Sequence, residues 1–134
     1  MANIEDVEGI GPAYGEKLKA AGAGTTDALL SMGASPKGRS DLAEKSGISE
    51  KLILEWVNHV DLFRIKGVAG EYADLLEAAG VDSVPELAQR NAANLVQKLA
   101  DTNDTKNLVR RVPTVAELED WISQAKALPR IVTH

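Results

Sequence analysis

The chain has 134 residues, 44% of them hydrophobic, 4% aromatic and none cysteine, so it can form one ordinary domain or two very small ones, with a core of Leu, Ile, Val and Ala around Trp56 and Trp121. Against 15 basic residues stand 20 acidic ones, for a net charge of −5 spread over both halves; proteins that grip phosphate backbones non-specifically usually carry a positive face, which this balance lacks. Without cysteine there are no disulfides, thiolate metal sites or thiol nucleophiles, and with no apolar run near the roughly 18 residues of a span and no charged-then-apolar leader, neither a membrane segment nor a secretory signal is expected and a cytoplasmic location is the default.

The first organised stretch runs from Val7 to Gly22. Gly9 and Gly11 supply the backbone freedom of a tight connection, Pro12 suits the first turn of a helix, and the spacing predicts a helix over about 12–21 that ends where Gly22 takes a left-handed cap. Thr25 or Thr26 caps a short helix reaching about Ser31. Residues 32–40 read as a loop, with Ser35-Pro36 as an alternative helix start, and 41–46 are helical up to Gly47. Ser49 then caps the longest amphipathic helix: Leu52, Ile53, Trp56, Val57, Val60 and Phe63 recur at 3.6-residue spacing, while Glu50, Lys51, Glu55 and Asn58 face away.

Sliding the chain by 58 residues superimposes Val7-Glu8-Gly9-Ile10 on Ile65-Lys66-Gly67-Val68, Tyr14 on Tyr72, Leu18 on Leu76 and Ala20-Ala21-Gly22 on Ala78-Ala79-Gly80. Farther on, Leu29 meets Leu87. Such matches at turn positions indicate an internal repeat. The second copy is predicted to form a helix over 70–79 capped by Gly80, a short one from Ser83-Pro85 to about Arg90, and one near 92–101. A polar break at Asp101-Thr102-Asn103-Asp104 follows, then a turn or short helix near 105–110. Thr114 with Glu117 makes a capping-box pattern before a helix bearing Val115, Leu118, Trp121, Ile122 and Ala125. No segment alternates apolar and polar residues long enough to form a strand. The tail from Pro129 is expected to be ordered against the body only as far as that proline.

The Gly9-Ile10-Gly11-Pro12 turn, followed by a helix containing Lys17-Leu18 and closing on Ala21-Gly22, resembles the helix-hairpin-helix motif. The whole layout is similar to a bacterial family of small tandem helix-hairpin-helix proteins catalogued as a domain of unknown function. Trp56-Val57-Asn58, Asp61-Leu62-Phe63-Arg64-Ile65-Lys66-Gly67-Val68 and Trp121-Ile122 carry that resemblance further along the chain. It implies an all-α fold of two pseudo-repeated helix-hairpin-helix units packed into one compact domain over 1–134. Pseudo-repeat one covers about 1–63, pseudo-repeat two about 64–128, and 129–134 form the tail. No chemistry carries over from that family.

In DNA-binding hairpins of this type, backbone N–H groups at a helix N-terminus meet phosphate oxygens, helped by the helix dipole. On that resemblance Gly9 and Gly11 would let a duplex approach, and Lys17 and Lys19 would add charge, against which Glu8 and Glu16 count within a Debye length. In the second copy the turn is Gly67-Val68-Ala69-Gly70, its helix carries Glu71, Asp74 and Glu77, and Lys66 is the nearby cation. Lys106, Arg110 and Arg111 make a secondary basic patch, or a solvated surface beside Asp101, Asp104 and Glu117. Trp56 and Trp121 are core residues by their stripes, with base stacking as the alternative; Tyr14 and Tyr72 are expected to pack on the other helix of their hairpin. His59 and His134 have no sequence neighbours for metal, and Asp101, Asn103 and Asp104 lack the glycine and distal glutamate of a calcium loop. Nucleophile motifs, phosphate-binding loops of nucleotide enzymes and dinucleotide fingerprints are missing, so no catalysis and no cofactor is expected. The expected role is a non-catalytic binding or assembly module, through contact with a protein or with a second copy. The alternative is a DNA- or RNA-binding module using the first hairpin.

Overall fold

The computed structural model describes residues 3–7, 9–68 and 70–133. Among these, eight α-helices and one short 3-10 turn at Ile4–Asp6 account for all the regular structure, and the one β-type pairing is an isolated antiparallel bridge between Asn3 and Thr25. The helices are α1 (Gly11–Ala20), α2 (Thr26–Met32), α3 (Pro36–Ser46), α4 (Glu50–Leu62), α5 (Gly70–Ala78), α6 (Val84–Ala88), α7 (Ala92–Lys106) and α8 (Val115–Ala127). None is long and apolar enough to cross a membrane. The chain divides into two compact units, one of Met1–Asp61 with Ile131–His134 and the other of Leu62–Arg130.

In the first unit α1 opens at Gly11 with Pro12 in its first turn, where a missing N–H removes no helical bond. It closes by a Schellman arrangement: Gly22 takes φ 99°, its N–H reaches the Lys19 carbonyl at 3.0 Å, and the Ala23 N–H reaches that of Leu18 at 2.8 Å. Side-chain oxygens start the next helices. Thr25 accepts from Ala28 N–H at 3.1 Å, Ser35 from Gly38 N–H at 3.0 Å and Ser49 from Leu52 N–H at 3.2 Å. The apolar stripe of α4 buries Ile53, Trp56, Val57 and Val60; elsewhere in the unit Ile4, Leu18, Leu29 and Leu42 are fully enclosed. Within the unit α1 packs on the 3-10 turn and on α3, which also receives α2.

The second unit closes α5 in the same manner, with Gly80 at φ 96°, Gly80 N–H on the Glu77 carbonyl at 3.0 Å and Val81 N–H on that of Leu76 at 2.8 Å. Ser83 and Asn91 cap α6 and α7, and at α8 both arms of the Thr114–Glu117 capping box are made, each at 3.1 Å. Leu62, Ile65, Leu75, Leu76, Leu87, Leu99 and Leu118 form the centre of this unit's core, with α8 packed on α6 and α7 and α5 on α7.

Four details correct the sequence-based expectations. The 32–40 stretch is a loop only at its start: the alternative reading holds, with Ser35 and Pro36 starting α3 and only Gly33-Ala34 between its cap and α2. The polar break at 101–104 does not occur: α7 continues to Lys106, and the break comes at Asn107, whose φ of 51° is left-handed. Asn103 explains the shift, since its side chain accepts from the N–H groups of Leu108 and Val109 at 2.8 and 3.0 Å and donates to the Val109 carbonyl at 3.0 Å, so the residue read as a breaker instead fastens the segment after the helix. Asn58 is buried at 8% exposure rather than facing solvent. The tail remains ordered past Pro129: Val132 is buried, and Thr133 both donates its N–H to Ala34 at 2.8 Å and accepts from Arg39 at 2.7 Å.

Candidate functional site

The first corner is built by two left-handed glycines. Gly9 has φ 87° and Gly11 φ 65°, values that cost an L-residue about 1–2 kcal/mol. They differ in surroundings. A Cβ on Gly9 would lie 3.7 Å from the indole nitrogen of Trp56, whereas one on Gly11 would face open space. Gly9 is thus held between its own turn and the aromatic core, and Gly11, with the exposed Pro12 and Ala13 after it, forms the outer surface at the start of α1.

Tyr14 and Trp56 pair with ring centroids 5.1 Å apart at 59°, and Tyr72 and Trp121 at 5.3 Å and 57°, tilted geometry worth about 0.5–1.5 kcal/mol beyond burial. Each tyrosine therefore meets a tryptophan from the last helix of its unit. Both indoles are buried, at 5% and 3% exposure, and so offer no open face for base stacking. Tyr14 remains 37% exposed and carries the Lys17 ammonium 6.0 Å from its ring centroid, a weak cation–π contact.

The two lysines of α1 have different fates. Lys19 makes an ion pair with Glu5 at 2.7 Å, and Glu5 reaches it by lying across Gly15, where a Cβ would come within 2.5 Å of the Glu5 Cγ. Lys17 stays exposed, with the Tyr14 ring as its one partner among the described residues. Glu5 is the residue that sequence inspection missed; its one signal is a glycine in the middle of a ten-residue helix, where alanine is otherwise favoured by up to about 1 kcal/mol. Glu16 is exposed on α1, while Glu8, also set against the lysines, lies outside the described residues.

At the second corner Gly67 has φ 100°, and a Cβ there would sit 2.8 Å from the Trp121 indole nitrogen. The turn backbone is already bound: Lys66 N–H donates to Gln124 Oε1 at 2.8 Å, and Gln124 Nε2 donates back to the Lys66 carbonyl at 3.1 Å. The α5 surface behind it exposes Glu71 and Glu77. Ala69 of this turn is outside the described residues.

The secondary basic patch is partly closed. Arg111 makes a two-pronged pair with Glu117 at 2.6 and 3.1 Å, and its carbonyl accepts from the Tyr72 hydroxyl at 3.1 Å. That guanidinium, with the Thr114 N–H, holds the Glu117 carboxyl at about 2, well below the usual carboxylate range, and Glu117 raises Arg111 in return. Lys106 and Arg110 are exposed. Asp101 accepts from Gln97 at 3.0 Å and Asn103 fastens the end of α7, so neither points to a cation. His59 is buried at 4% exposure; His134 lies outside the described residues. Among the described residues no three His, Asp or Glu side chains gather as metal ligands.

A family model described as "Domain of unknown function (DUF4332)" matches residues 8–128. No curated protein and no solved structure matches the chain.

Proposed function

The chain belongs to the DUF4332 family, and for this member we propose a tandem pair of helix-hairpin-helix units that serves, without catalysis, as a protein-contact or self-association module in the cytoplasm. Support for the repeat comes from the backbone. The bonds Val7 to Ile4, Ile10 to Val7, Gly22 to Lys19 and Ala23 to Leu18 have counterparts 58 residues later in Ile65 to Leu62, Val68 to Ile65, Gly80 to Glu77 and Val81 to Leu76. Caps Thr25 and Ser83 follow at the same offset, and both the caps Ser49 and Thr114 and the indoles Trp56 and Trp121 at an offset of 65.

The observation that carries the protein-contact reading is that two of the groups a phosphate clamp would use, one at each corner, are engaged inside the units. Lys19 is paired with Glu5, and the turn amide at Lys66 is held by Gln124. Around them the chain is acidic, with a net charge of −5, which repels a polyanion at low salt.

The alternative, a nucleic-acid module using the first hairpin, draws on two observations: Gly11 faces open space, and Lys17, farther along the same helix, is exposed. Binding to duplex and single-stranded DNA across a salt series separates the two. The protein-contact reading expects no saturable binding even at low salt; tight binding that weakens steeply with salt and vanishes in Lys17→Glu would replace it with the alternative. Light scattering over a concentration series tests self-association, and a mass that stays at the 14.3 kDa of one chain removes that part.

A further inference from the structure

In the first unit, Pro36 and Arg39 of α3 and Glu50, Lys51 and Leu54 of α4 line a recess of about 310 Å³. Arg39 is its unusual member. The side chain is buried at 6% exposure, yet its partners among the described residues are all neutral: Nη1 donates to the carbonyls of Gly33 and Ala34 at 2.9 and 3.2 Å, and Nη2 to that of Thr133 at 2.7 Å. No ion pair among the described residues includes it. Carbonyl oxygens satisfy hydrogen bonds but leave the positive charge uncancelled, and a buried charge is costly unless an opposite one accompanies it.

A guanidinium has five N–H donors. Three are taken, which leaves Nε–H and one Nη2–H without an acceptor among the described residues. Donors on these two nitrogens suit the two oxygens of one carboxylate. Lys51 adds a second cation at the rim, Pro36 and Leu54 offer apolar walls, and Glu50 supplies the opposing charge. With Arg39 and Lys51 against Glu50 the recess has a net charge of about +1, which one carboxylate balances, and the apolar walls of Pro36 and Leu54 suit the hydrocarbon stem of such an acid, which inorganic phosphate lacks.

We propose that this recess binds a carboxylate on a short apolar stem, with Arg39 as its countercharge and Lys51 as rim cation. The carboxylate belongs either to a free small acid or to an acidic side chain of a peptide. None of the corner residues is involved, so the outcome of the light-scattering and DNA experiments has no bearing on this site.

The test uses the whole chain labelled with ¹⁵N and titrated with 3-methylbutanoate, with the blocked amino acid N-acetylglutamate amide and with inorganic phosphate. Saturable shifts confined to amides of 36–39 and 50–54 are expected with the carboxylates and not with phosphate. Lys51→Glu, at an exposed position, should weaken binding about fivefold and Glu50→Gln should tighten it by a similar factor. Arg39→Lys, which keeps the charge but loses the fork, should weaken it about tenfold. Tighter binding of the blocked glutamate assigns the site to a peptide, and tighter binding of the free acid to a small molecule. Failure to saturate with either carboxylate, stronger binding of phosphate, or affinities unchanged in both Lys51→Glu and Glu50→Gln would overturn the proposal.

Discussion

Replacing Gly67 by alanine should destabilise the protein markedly more than the same change at Gly9. Both glycines are left-handed, at φ 100° and 87°, so each substitution carries a backbone cost of about 1–2 kcal/mol. At Gly9 the new methyl would stand 3.7 Å from the Trp56 indole nitrogen, ordinary contact, and nothing further is added. At Gly67 it would stand 2.8 Å from that of Trp121, so the indole must move by several tenths of an ångström in a packed core, at about 1–3 kcal/mol, and in moving it disturbs the Tyr72 pair. The expected losses are therefore about 1–2 kcal/mol for Gly9→Ala and about 2–5 kcal/mol for Gly67→Ala. Equilibrium urea unfolding by circular dichroism, with tryptophan emission as a second probe, measures both. Repeating Gly67→Ala in a Trp121→Phe background, where the ring is smaller and lacks the nitrogen, should remove most of the excess. A Gly9→Ala loss equal to or larger than that of Gly67→Ala, or an excess that persists with Phe at position 121, would refute the assignment of Gly67 to close indole approach.

Gly38→Ala, although it replaces glycine within α3, should lower stability by about 2 kcal/mol or more instead of raising it, because the added Cβ would overlap the Met32 carbonyl oxygen and backbone cannot rotate away as a side chain can; a thermal melt beside the exposed control Lys37→Ala decides the sign. The acid limb of the second unit should depend on Glu117. Its folded value near 2 lies below the ordinary 4.5, so its contribution is present above the ordinary carboxylate range and is lost as pH falls towards 2. Carbon-13 titration of the Glu117 carboxyl should show the midpoint rising towards the ordinary value in Arg111→Gln, and an unmoved midpoint would dissociate the shift from that guanidinium.

What the sequence determined by itself is what short-range bonding decides. Gly22 and Gly80 end helices because a residue without Cβ admits the left-handed cap, and the bonds that follow span only three to five residues. Thr114 and Glu117 announce their capping box for the same reason, and helical periodicity marks Ile53, Trp56, Val57 and Val60 as buried, although the same rule put the buried Asn58 outside. Asn103 escaped that logic because its carboxamide serves residues beyond the helix, at Leu108 and Val109, where propensity suggested only a break. Tertiary structure alone decided the rest. It laid Glu5 across Gly15 onto Lys19, 14 residues away, and brought Thr133 to Arg39 across 94. At the candidate corner the glycines and lysines are visible in the chain, but whether a lysine is open to a ligand depends on which carboxylate packing brings to it, and no local pattern encodes that encounter.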